Sequence, residues 1–178
     1  MNSGSAATYA GLITLGSASS IVGGTGSVAL TNAGTITGSG FALTLGGAQG
    51  GSLASIVGTG SGTLTKADAG TWTLSGASTY TGTTTVSAGS LVAGRAGNAF
   101  GATTAAMAVN GGTLNLGSYN QTLAAVSVGT SGGSIISTTG VLTGSSFTFN
   151  NTLGNAVTVS AILAGSGTLT QAGTGTTT

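Results

Sequence analysis

The chain has 178 residues, a net charge of +1 and 2% charged side chains, with 36 Gly and no Pro, Cys or His, whereas average soluble domains are about 25% charged. Absence of Cys excludes a disulfide framework and thiolate metal sites. Lys66, Asp68 and Arg95 are the whole charge complement, too little for the basic patch that nucleic acid or an anionic lipid surface attracts.

A mean hydropathy of +0.48 gives the chain apolar surface to bury, unlike disordered chains, which fail through low hydrophobicity and high net charge. Gly, Ser or Thr interrupts every apolar stretch well before the roughly 18 residues of a membrane span, so no transmembrane segment is expected. The N-terminus lacks the basic-then-apolar pattern of an export signal, so a secreted form would be mature or a fragment.

Taken in chain order, short runs at 11–15, 27–31, 71–74, 83–86, 113–116, 147–149 and 157–159 alternate apolar residues with Thr, Ser or Asn. Gly, Asn or Ser turns bound each run, the signature of strands. Residues 102–108 are the best helical candidate, and a short one. The prediction is an all-β protein.

Internal repetition selects the architecture. The phrase Gly-Ser-Gly-Thr-Leu-Thr at 60–65 returns at 165–170, an offset of 105. Leu30 aligns with Leu64 at an offset of 34, and Thr8-Tyr9 with Thr79-Tyr80 at 71, which suggests a loose period of about 35. Gly70-Thr71 against Gly112-Thr113, at 42, departs from it. The expected fold is a parallel β-solenoid filling residues 1–178 as one domain. It would have roughly eight to nine rungs of about 20 residues and no evident capping repeats. Inward Leu, Val and Ile would form ladders, and Thr, Ser and Asn would face solvent.

The residues from Gly-Ser-Gly-Thr-Leu-Thr-Lys-Ala-Asp-Ala-Gly-Thr-Trp-Thr-Leu-Ser-Gly (60–76) through Thr-Tyr-Thr-Gly (79–82) to Val-Ser-Ala-Gly-Ser-Leu (86–91) carry a resemblance. The stretch resembles the passenger-associated repeat, or autotransporter-associated β-strand repeat, of bacterial autotransporter passengers. It departs from that pattern at Asp68, where Gly is usual, and at Trp72, where Leu is usual. The resemblance implies a right-handed parallel β-helix on the outside of a bacterium. The chain shows no translocator barrel.

No constellation supports catalysis. Glycoside hydrolysis needs a carboxylate pair, and Asp68 is the sole carboxylate side chain. A serine nucleophile needs an activating base, and Lys66 is the sole side-chain amine. The Lys66/Asp68 pair reads as a solvated corner. One Asp cannot build repeated cation sites, so neither metal nor cofactor is expected. Gly-Thr-Gly-Ser-Gly at 58–62 precedes a strand rather than the helix a phosphate loop requires. Thr-x-Thr triplets at 35–37, 63–65, 71–73, 83–85, 168–170 and 176–178 offer an ice-binding alternative, split between faces. Tyr9 and Tyr80 read as equivalent corner or core residues, and Trp72 as core.

The same alignment sets Thr178 opposite Thr73, Met1 opposite Trp72 and Ser3 opposite Leu74, so the repeat reads as continuous across the two termini. Uncapped solenoid ends expose strand edges. The leading expectation is therefore an extracellular structural subunit, not an enzyme, that stacks on itself head to tail into a filament. Its assembly ends would be Met1, Asn2, Ser3, Thr8 and Tyr9 on one side, and Leu169, Thr170, Thr174, Thr176, Thr177 and Thr178 on the other. The alternative is a piece of an adhesin passenger that binds cell-surface or glycan ligands.

Overall fold

In the computed structural model, which describes residues 4–178, each short apolar–hydroxylic run lies parallel to its counterpart in the next turn. Two faces are eight-stranded parallel sheets. The first runs from Ala7–Tyr9 to Val157–Val159, and the second from Ser19–Val22 to Leu169–Gln171. A third face carries shorter pairings, among them Thr35–Ile36 with Ile56–Val57 and a three-stranded sheet through Gln121–Thr122, Val141–Thr143 and Ile162–Ala164. Every pairing between the described strands is parallel. The chain is a β-solenoid of about eight turns.

Register sets the true repeat. Partners in adjacent turns lie from 19 residues apart (Thr71 and Ser90) to 24 apart (Gly133 and Val157). The 105-residue offset is five turns of the second sheet, from Leu64 through Thr84, Met107, Val126 and Phe147 to Leu169. The 42-residue offset is two turns of the first sheet, from Thr71 through Ser90 to Thr113. The period near 35 is thus corrected to about 21. The offset of 34 matched Leu30 in the first sheet to Leu64 in the second, an alignment of like phrases on different faces.

Alternation places the core. In the first sheet Trp72, Leu91, Leu114 and Ile135 form one inward ladder, and Leu30, Leu53, Leu74 and Ala93 another. The second sheet contributes Leu43, Leu64, Met107, Val126 and Phe147. At about 25 cal/mol per Å² of apolar surface buried, these ladders hold the turns together.

The expected strands at 27–31, 71–74, 83–86, 113–116, 147–149 and 157–159 are present to within a residue or two. Residues 11–15 form no strand. That stretch crosses to the third face and pairs only through the Thr14–Thr37 bridge. Nor do residues 102–108 form a helix. Met107–Val109 is a strand that places Met107 and Val109 inward between neighbouring turns, and ladder packing overrides the weak local helix preference.

Candidate functional site

Lys66 follows Leu64 by two residues, so alternation sends its side chain inward, in the ladder of Leu45, Val86, Val109 and Val128. It is fully buried, which corrects the expectation of a solvated corner. The stem packs with the aliphatic ladder while the ammonium reaches the turn. There Nζ donates to Ala67 O at 2.5 Å, Asp68 O at 2.8 Å and, in the next rung, Ala88 O at 3.1 Å. A buried ammonium is tolerated only with such partners. Burial lowers its pKa below the ordinary 10.5, and Asp68 acts against that shift.

Asp68 is exposed and holds φ at 58°, a left-handed conformation that favours Gly and that Asp tolerates. The carboxylate accepts a hydrogen bond from Gly47 N at 2.7 Å, 21 residues back. This explains Asp where the repeat usually has Gly: the side chain ties two rungs at the conformation Gly would adopt. Trp72 also fits by local compensation. Its indole is fully buried and donates to Gly46 O at 3.0 Å. Gly51 is its register partner, and a Cβ there would lie 3.1 Å from the ring and 2.0 Å from Val28 O.

Tyr80 and Thr84 form a second buried polar pair, joined at 2.5 Å, with the Thr84 hydroxyl donating to Phe100 O at 3.0 Å. Burial raises the Tyr80 pKa strongly. Tyr80 is not the equivalent of Tyr9. Tyr80 lies in a corner after the first sheet, whereas Tyr9 ends a strand of that sheet in register with Leu30 and is half exposed. An offset of 71 is no whole number of turns.

The proposed end residues fall on opposite ends of the described solenoid. Met1, Asn2 and Ser3 lie outside the described residues. Thr8 and Tyr9 pair with Ala29 and Leu30. Leu169 and Thr170 pair with Phe147 and Thr148, and the Thr174 hydroxyl receives Leu153 N. Thr176 O accepts from Val157 N and Asn151 Nδ2, Thr177 bridges Val157, and Thr178 exchanges bonds with Val157 and Val159. The register sets Ala7, not Met1, in line with Trp72 through Val28 and Gly51. Thr178 falls beside Thr158 and so in the column of Thr71, two residues from the expected Thr73. Tyr9 (51%), Leu12 (66%), Ile162 (61%) and Leu169 (65%) are well exposed toward these open edges.

Between the ends, the broad faces are hydroxylated. In the second sheet Ser20, Thr44, Thr65, Thr85, Ser127, Thr148 and Thr170 share one outward column, interrupted by Ala108. The first sheet carries Thr71, Ser90, Thr113, Ser134 and Thr158. The Thr-x-Thr triplets themselves are divided among all three faces. Beside Thr71 a shallow groove of about 240 Å³ opens, lined by Ser27, Gln49, Ser52, Thr71 and Thr73 over Val28 and Gly51. Sequence reasoning passed over it, because strand pairing brings its residues together from three successive turns.

Among the described residues no cluster of His, Cys, Asp or Glu could hold a metal, and no helix is long and apolar enough to cross a membrane.

Residues 64–93 match the passenger-associated-transport-repeat family. Over 110 residues, 61% of the chain, the protein is 41% identical to an adhesin autotransporter, BmaC, of Brucella suis biovar 1 (strain 1330). The chain spans about 3% of the length of that relative. No solved structure matches the chain significantly. Residues 64–93, which bury Lys66, Trp72 and Tyr80, are thus similar to the passenger-associated-transport repeat, in keeping with the likeness to an autotransporter adhesin.

Proposed function

We propose that this solenoid is a non-catalytic segment of an adhesive passenger displayed outside a bacterial cell, where its hydroxylated faces meet cell-surface ligands. The similarity to an autotransporter adhesin over 61% of the chain carries the reading. The chemistry agrees with it. Asp68 is bonded to Gly47 N and Lys66 is enclosed by three carbonyls, so neither stands ready as an acid, base or nucleophile in the sense general catalysis requires. Burial of Lys66 also leaves Asp68 and Arg95 as the only charged side chains with access to solvent. Contacts would then depend on shape and hydrogen bonding, with little electrostatic steering.

Beads coated with the purified chain should adhere to host epithelial cells above beads coated with an unrelated β-protein. Equal retention would sink the adhesin reading.

End-to-end stacking into a filament has the open apolar edges in its favour and nothing else. A further rung of one long passenger would cover those edges equally well. Electron microscopy at high protein concentration decides it: fibres favour stacking, and a uniform population of single particles rejects it.

A further inference from the structure

Both broad faces present hydroxyl columns, but a flat column cannot orient a ligand by shape. The groove on the first sheet can. Its outward neighbours in adjacent turns are Ser27 and Thr71 on one side, and Ala29, Ser52 and Thr73 on the other. Between them the surface dips, opening about 240 Å³. That is room for roughly eight waters at about 30 Å³ each, the scale of a sugar ring with its hydroxyls.

The lining states the ligand's chemistry. The Ser52, Thr71 and Thr73 hydroxyls, which both donate and accept, and the Gln49 amide, which does the same, face an uncharged partner rich in hydroxyl groups. Ala29, from the outward column, supplies a small apolar patch for the carbon face of a ring. No cation lines the groove to receive a carboxylate or sulfate. From Thr71 the column continues through Ser90, Thr113, Ser134 and Thr158, one hydroxyl per turn at the roughly 4.8 Å spacing of paired strands.

We propose that this groove is a subsite for a neutral sugar, with the rest of a linear glycan extending along the Thr71–Thr158 column. The inference deepens the adhesin reading and rests on it for its biological setting.

Neutral oligosaccharides of increasing length, titrated into the isotope-labelled chain, test the subsite by amide NMR. Shifts should concentrate at Gln49, Ser52, Thr71 and Thr73 in the millimolar range, with affinity rising at least threefold as the oligosaccharide lengthens. Ser52→Trp and Thr73→Trp fill the groove from outward positions. Each should abolish the shifts while the far-ultraviolet circular dichroism stays that of the parent. No shifts with any neutral oligosaccharide, or shifts that persist in both variants, overturn the proposal. Shifts only with acidic oligosaccharides overturn it as well. Bead adhesion separates the two readings. If parent and filled variants adhere equally, the adhesin reading stands and the groove fails. If the parent does not adhere but binds sugar in the groove, the subsite stands and the adhesin reading fails.

Discussion

Lys66 occupies a position that alternation assigns to an apolar side chain, and it is held there because three carbonyls converge on its ammonium. Lys66→Ala removes these charge-assisted bonds and leaves a cavity, so it should cost about 3 kcal/mol in urea denaturation. Thr59 is the opposite case: wholly buried, its hydroxyl has no partner among the described residues. Thr59→Val keeps the shape and drops the unsatisfied group, so the same measurement should show a gain of about 1 kcal/mol. Tyr80 gives the protein an alkaline limit. Its pKa is raised above the ordinary 10.0 by burial. Above that value the unfolded chain loses a proton that the folded chain keeps, and stability falls with pH. Melting temperature against pH should therefore decline less steeply in Tyr80→Phe than in the parent. All three residues lie within or just ahead of the matched repeat; Tyr80 was legible as a corner or core residue and Trp72 beside it as core, but Lys66 was not. A Lys beside an Asp looks like a solvated corner until the register shows which way each points.

Strands were legible because each run of Thr or Ser alternating with Leu or Val states its own two faces. Residues 11–15 carry the same pattern, and failed to form a strand because their neighbours on the third face offer one bridge instead of a ladder. Pairing between elements also governs proteolysis. Trypsin has two cleavable side chains, Lys66 and Arg95, and Lys66 is sealed in a strand. Arg95 lies just past the strand Ser90–Ala93, with Nε on Ala96 O. Native digestion should therefore yield only the fragments 1–95 and 96–178. They should elute as one species by gel filtration, held by the Ser90–Thr113 and Thr84–Met107 ladders. Cleavage after Lys66 in the native protein would contradict its burial.

As a whole molecule the solenoid is nearly one-dimensional, since each turn contacts mainly its neighbours. Damage at one rung should stay local. In Lys66→Ala, hydrogen exchange should quicken at Leu45, Ala67 and Val86 while Ile135 and Val126 keep their protection; uniform loss would indicate a single cooperative unit. The sequence by itself determined the class: a charge-poor, Gly-punctuated chain with recurring Gly-Thr-Leu-Thr has apolar ladders to bury. It also carried the passenger resemblance, because the repeat's small residues and turns are local requirements. Only the tertiary structure decided the period, since corners absorb insertions and turns of 19 to 24 residues blur any fixed spacing. It also decided that Lys66 is inside, and that Ser52, Thr71 and Thr73 border one groove. Facing is a relation between turns some 21 residues apart, and in a parallel stack that relation is set by strand pairing rather than by neighbours along the chain.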